Sequence, residues 1–427
     1  MIRADCVTQR GCSVSSKCSV LVLIIIIYLT SSSTQVIIVE QQQYTSLPQE
    51  QERRIRMRTL SKFVTTTVLT VAITIGSIAK YKPELFFKIP HYGFIPWAIS
   101  GGAMPPYIVP GPFEEGNTDW LKDGDVVVSV AAKSGTTWML FCSHQIRVKG
   151  NDEEFPYGDV SLSTPWPEFI QTPGDDWEIQ KDKYNTTILP DGTPYKNYWD
   201  NPGYPFRVFK SHNHAEAFGS LIGDKDKRKK NVRFLAMTRY GLDQIASMVP
   251  FFLCHSDGFR NLWGGFPPAS SAPIREISKE RLEQCKPGGI WFSQFGPYVN
   301  SWWKVKDEDN VLFLHYSDAK RDLPGTVSKM AKFYGIDLTE KEHGKIVEKC
   351  GFKYMKEHES MFEYTVPLNP DFQGKVMAKG GLIRKGKQGD GKEYFTEVEK
   401  EEWHKIEEDH YGDDPVKLNW ARYGGDL

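Results

Sequence analysis

Apolar positions in this chain gather in short dense runs separated by stretches rich in turn residues. Val126-Val127-Val128-Ser129-Val130 is a β-branched run with no polar face, the pattern of a strand buried on both sides of a parallel sheet. A small-residue turn follows, Ala131-Ala132-Lys133-Ser134-Gly135. From Thr136 onward Trp138, Leu140, Phe141 and Ile146 recur at helical spacing. A second short strand is predicted over Phe206–Phe209, ending in Lys210-Ser211-His212. A third covers Val232–Met237, followed by Thr238 to Asp243 and a helix over Gln244–Phe252. The run Asn310–Tyr316 predicts a fourth strand, and Val327–Tyr334 an amphipathic helix that Gly335-Ile336 ends. Residues 290–304 turn helical towards their end, and Glu397–Leu427 reads as a charged helix and a tail.

Two apolar segments precede these elements. Val20–Leu29 has the length of a signal-peptide core, with Arg3, Arg10 and Lys17 before it, and is too short to span a bilayer. Phe63–Ala79 runs 17 residues without a charge, at the lower limit for a spanning helix, although five of them are Thr. Five basic residues, Arg53, Arg54, Arg56, Arg58 and Lys62, lie before it and only Lys80 and Lys82 after it. If it spans, the positive-inside rule leaves the N-terminus cytosolic and carries the rest of the chain into the lumen. The alternatives are a cleaved leader and a cytoplasmic protein. Residues 1–82 are thus expected to form a leader and residues 83–427 one domain. Its first part, 83–120, is an irregular segment rich in Pro, Gly and aromatics that walls a pocket.

Charge changes the picture only by exclusion. The chain carries a formal net charge of −1, but residues 1–82 hold 10 Lys and Arg against 4 Asp and Glu, leaving 43 against 50 beyond them. A mildly acidic main region argues against nucleic acid as partner. The seven cysteines contain no CxxC pair, so neither a zinc site nor a disulfide framework is signalled. His212 and His214 are two apart without a third ligand at telling spacing, and no metal is assigned.

The chemistry begins at the first turn. A strand feeding a helix through small residues leaves the first helical N–H groups aimed at one spot, which the helix dipole makes favourable for an anion. Lys133 adds a cation and Thr136 and Thr137 add donors, although the order is not that of a Walker loop. Lys133-Ser134-Gly135-Thr136-Thr137-Trp138 resembles the 5′-phosphosulfate loop of the sulfotransferases of the cytosolic, small-molecule type. Those enzymes use 3′-phosphoadenosine 5′-phosphosulfate as sulfate donor. Further pieces occur in family order. Lys210-Ser211-His212 resembles the strand end that carries the general base. Arg239 and Ser247, eight residues apart, match the pair that grips the 3′-phosphate. Phe352 and Met355 match the segment near the adenine, and Arg384-Lys385-Gly386 with Gly389-Asp390 resembles the basic glycine-rich signature.

The resemblance implies a single α/β domain with a central parallel sheet, helices on both faces and a P-loop-like strand-loop-helix. It implies His212 as base, Lys133 and Lys210 at the transferring group, and a donor site built from Lys133, Ser134, Gly135, Thr136, Thr137, Trp138, Arg239, Ser247, Phe352, Arg384, Lys385 and Gly386. The acceptor is expected to be a small molecule offering a hydroxyl or an amine. Departures from the family pattern are Ala131-Ala132, Cys350-Gly351 and Gly391, which stands where the family has Trp. Two other classes fit the same loop: a nucleotide-dependent phosphotransferase, and a nucleotide-binding protein without turnover.

Overall fold

The computed structural model describes residues 49–82, 84–87, 105, 107–109, 111–378, 380–386, 388–412 and 414–425. The Val20–Leu29 segment, much of the proline-rich stretch before residue 111, and Lys387 lie outside them. Two compact units divide at Tyr81/Lys82. The first contributes one described helix, α1 (Gln49–Tyr81), longer at both ends than the apolar run that predicts it. Its window Val64–Tyr81 is long and apolar enough to cross a membrane. The threonines are accommodated within it: Thr70 and Thr74 donate their hydroxyls to the carbonyls of Thr66 and Thr70, four residues back.

The second unit is built on a four-stranded sheet, β1 (Val126–Val130), β2 (Val208–Ser211), β3 (Arg233–Thr238) and β4 (Val311–His315), in the order β2-β1-β3-β4. Every pairing is parallel. Alternate strand residues feed two separate cores. Val127, Phe209, Phe234, Ala236 and Phe313 pack on one side with Tyr298, Trp302 and Trp420. Val126, Val128, Val130, Leu235 and Met237 pack on the other with Met139, Leu140, Phe141, Val327 and Met330. Those partners come from α2 (Thr136–Arg147) and α4 (Leu323–Tyr334). Because both faces are covered, all five β1 residues are buried, and the strand reads as an unbroken apolar run.

The order of strands decides where a ligand can sit. The chain leaves β1 towards β2, crosses back to β3, and continues away to β4. The connections therefore part between β1 and β3 and leave a crevice outside their carboxyl ends. Three details differ from the sequence expectation. Strand β2 extends through Ser211, because Lys210 and Ser211 continue the register with Val128 and Ser129; only His212 follows the strand. The C-terminal stretch is two helices, Glu397–Tyr411 and Pro415–Tyr423, broken at Gly412 (φ 53°), with Asp414 capping the second through the Lys417 N–H. Helix α3 (Gly241–Leu253) starts three residues earlier than its apolar pattern.

Candidate active site

The loop after β1 enters α2 through two left-handed residues, Lys133 (φ 63°) and Gly135 (φ 100°). A Cβ on Gly135 would lie 2.8 Å from Met237 Cε and 3.1 Å from the Tyr316 ring, so glycine lets the turn pass this close. Gly135 is the N-cap of α2 and supplies no side-chain cap. The first N–H groups of the helix therefore await an acceptor from outside, at the positive end of the helix dipole.

A cavity of about 300 Å³ opens where the sheet topology predicts it. Its walls include Lys133, Gly135, Thr136, Thr137 and Trp138, then Lys210 and His212 from the end of β2, and Arg239 and Ser247 from β3 and α3. Phe352, Arg384, Lys385 and Gly386 complete it from the C-terminal third. The fold thus gathers residues more than 250 positions apart, since Lys133 and Gly386 share one cavity. Ser134, alone of the sequence-predicted set, stays outside the lining; it is buried, and its Oγ has no partner among the described residues.

The electrostatics are those of a site prepared for a polyanion. Burial, with Arg239 and Arg384 close by, drives the Lys133 ammonium down to about 7. Its Nζ lies 4.0 Å from the Phe251 ring centroid. Lys210 is pushed well below the usual lysine range, by burial first and then by Lys133. Its Nζ lies 3.6 Å from the Trp166 ring centroid and donates to Tyr364 Oη at 3.1 Å. Aromatic faces and a phenol are weak substitutes for a phosphate, so these cations gain most when an anion arrives.

Asp243 ties together two of the segments expected to bind the 3′-phosphate. It pairs with Arg239 at 3.3 Å and accepts from the Gly389 and Gly391 N–H groups at 2.8 and 2.9 Å. The start of α3 and the glycine-rich loop are thereby locked together. Asp390 holds Arg384 at 2.7 Å and Lys385 at 3.2 Å. This arrangement accounts for Gly391: a Cβ there would sit 2.9 Å from Leu242 Cβ and 3.0 Å from its carbonyl carbon. Gly386 has φ 57°, and its missing Cβ would fall 2.2 Å from the Phe352 ring, so this backbone packs directly on Phe352. Trp138 donates its indole N–H to the Cys350 carbonyl at 2.8 Å, which fixes its ring without any side chain at Cys350-Gly351.

His212 is half-buried, neutral and oriented. Its Nδ1 lies 2.5 Å from the Val130 carbonyl, an acceptor only, so Nδ1 carries the proton and Nε2 the lone pair. Burial, then Lys210, push its pKa to about 3. His214 goes elsewhere, its Nε2 donating to the Ser293 carbonyl at 2.8 Å.

Further lining residues were not legible in the sequence: Glu168, Tyr364, His255 and Gln294. Each comes from a loop or an element end, and only the third dimension sets them beside Lys210 or Lys133. Trp166 belongs to the aromatic stretch read as loop anchors and acceptor lining, and it does line the cavity, with Phe169, Phe251, Phe252, Phe259 and Trp291.

A family model for the sulfotransferase domain matches residues 123–415. The chain belongs to the sulfotransferase family. It is similar to sulfotransferase 1B1 of Canis lupus familiaris, 25% identical over 288 residues, covering 65% of this chain and 80% of that protein. Amine sulfotransferase of Oryctolagus cuniculus is 24% identical over 300 residues, 70% of this chain and 85% of the relative. A solved structure of retinol dehydratase with retinol and PAP shares 22% identity with a TM-score of 0.48, covering 69% of this chain and 83% of that one. The protein is accordingly an enzyme that moves a sulfuryl group from 3′-phosphoadenosine 5′-phosphosulfate to a small-molecule acceptor.

Proposed function

We propose that the cavity over the carboxyl ends of β1, β2 and β3 is where the transfer takes place, with His212 as general base. The observation that carries this reading is the fixed tautomer of His212: Nδ1–H is committed to Val130, and the lone pair of Nε2 is left to receive a proton. A ring with a pKa of about 3 in the ligand-free site is uncharged at neutral pH and ready as an acceptor. A phosphate and a sulfate brought beside Lys210 and Lys133 raise its basicity, since they cancel the cations that depress it.

The donor supplies an activated sulfuryl group on a phosphate leaving group and presents a second phosphate on its ribose. The N–H groups of α2 with Thr136 and Thr137 hold the 5′-phosphate, while Lys133 neutralises charge as that phosphate leaves. Ser134 and Gly135 shape the turn that allows this. Arg239, Ser247, Arg384, Lys385 and Gly386 hold the 3′-phosphate, for which a guanidinium fork is well suited. Trp138 and Phe352 flank the adenine. Lys210 neutralises the transferring group, and no metal enters this scheme. The fit rests on the cations that burial and mutual repulsion have depressed. The acceptor end is walled by Trp166, Phe169, Phe251, Phe252 and Phe259, which favours a lipophilic alcohol or phenol over a glycan.

We also infer that α1 anchors the enzyme in a membrane, with the arginine-rich side cytosolic and residues 82–427 lumenal. Its length and composition, and the internal bonds of Thr70 and Thr74, support this.

The test is a panel of acceptor classes with labelled donor, run on wild-type enzyme and on His212→Ala. Loss of a general base costs about 10²–10⁴-fold in turnover, and the variant keeps its stabilisation by adenosine 3′,5′-bisphosphate. Normal turnover of an alcohol by His212→Ala overturns the assignment.

A further inference from the structure

The strand end that carries His212 is gripped from outside the sheet. The segment Pro165-Trp166-Pro167-Glu168 runs beside it, with the Lys210 N–H donating to the Pro165 carbonyl at 2.8 Å. Glu168 Oε1 accepts from Ser211 Oγ at 2.5 Å and from Asn213 Nδ2 at 3.0 Å. One carboxylate oxygen therefore ties the residues immediately before and after His212. The Asn213 N–H also donates to Ser211 Oγ at 3.1 Å, closing a small ring of bonds around the backbone of the base. Trp166 meets the imidazole edge-on, 5.0 Å between centroids. Glu168 lines the cavity but is buried, and its Oε2 has no side-chain partner among the described residues.

We propose that Glu168 is a positioning residue for His212, and that its ionisation governs how firmly the imidazole is held. As a carboxylate it makes charge-assisted bonds to Ser211 and Asn213; protonated, it is the weaker acceptor and its hold on the segment loosens. This rests on His212 being the base, which the structure's second ionisable group of this wall then serves.

The charged and titratable surroundings of Glu168 come from three elements. Lys210 of β2 favours its ionised form, and Tyr184 of the helix Trp177–Thr186 faces it as a buried phenol. Lys133 of the β1 loop lies beyond them and bears on Lys210 and His212. Burial outweighs these and pushes the carboxyl up to about 7. The consequence is specific. A His212 with a pKa of about 3 in the ligand-free site does not itself change state near neutrality, so a change in its ring between pH 6 and 8 comes from a neighbouring group, and a variant that cannot ionise at 168 identifies Glu168 as that group.

The experiment reads the imidazole itself and needs no acceptor. Long-range ¹H–¹⁵N spectra of the full-length, ligand-free enzyme are recorded from pH 6 to 8, with His212 assigned by its loss in His212→Ala. Wild type shows two separated ring-nitrogen signals at pH 8, the pattern of a fixed Nδ1–H tautomer. They move towards each other as pH falls through 7. Glu168→Gln retains an uncharged Oε1 acceptor and cannot ionise, so its signals are flat with pH, at a separation no greater than that of wild type at pH 8. Glu168→Ala gives averaged signals at every pH. His212 signals that are flat from pH 6 to 8 in wild type, or unchanged in Glu168→Ala, overturn the proposal. If Glu168→Ala does not fold, the contrast between wild type and Glu168→Gln decides alone. Because the ring is observed directly, a failure of this positioning is distinguishable from a failure of His212 as base, which only turnover reports.

Discussion

Binding of the donor product, adenosine 3′,5′-bisphosphate, should draw a proton onto Lys133. In the ligand-free site this lysine has a pKa of about 7, because burial and the nearby Arg239 and Arg384 disfavour its charge. A bound dianion reverses the balance and returns it towards its ordinary value of about 10.4. The free enzyme then holds Lys133 neutral for about 90% of molecules at pH 8 and about half at pH 7, so binding takes up about 0.9 and 0.5 proton respectively. Affinity should fall about tenfold per pH unit above 7. Below about pH 6 the ligand's own phosphates protonate, which sets a maximum between 6 and 7. The sign for ligand-free stability is opposite. Between about 7 and 10 the unfolded chain binds the extra proton, so this lysine makes the folded state relatively more stable as pH rises. Calorimetry in two buffers of different ionisation enthalpy measures the uptake directly. Lys210 is depressed too, so Lys133→Met is the control that isolates the contribution. Equal binding heats in both buffers at pH 8, or an uptake unchanged in Lys133→Met, would refute the reasoning.

Other outcomes follow from the same geometry. Arg239→Ala should lose bisphosphate-induced thermal stabilisation before it loses the fold, the reverse of His212→Ala, and differential scanning fluorimetry distinguishes the two. Gly386→Ala places a Cβ in a left-handed backbone and against Phe352; the strain of about 1–2 kcal/mol should weaken bisphosphate binding by about tenfold or more, read by titration. The full-length chain should pellet with membranes and resist carbonate extraction through α1, and recovery of intact protein in the soluble fraction would exclude the anchor.

What the sequence disclosed depended on how local the cause was. The β1 run was legible because a strand covered on both faces must be apolar throughout, and the turn into α2 because small residues there have a purpose that reads directly from their order. Lys210 was harder to place. Its cation suggests a strand end, yet it lies within β2 because its charge is covered by Trp166 and Tyr364, which are far away in sequence. Glu168 was not legible, since its partners Ser211 and Asn213 lie 43 and 45 residues on, and a lone Glu after Pro-Trp-Pro carries no periodic signal. The exchange of the family's Trp for Gly391 also became intelligible only in three dimensions, through Leu242 and Asp243.

The central claim is a nucleotide site with separate grips for the 5′- and 3′-phosphates, and thermal stabilisation by two nucleotides tests it most directly. Adenosine 3′,5′-bisphosphate should raise the melting temperature far more than AMP at equal concentration, because the proposed grip of Arg239, Ser247 and Arg384 is engaged only when the 3′-phosphate is present. Equal stabilisation by AMP would contradict the account.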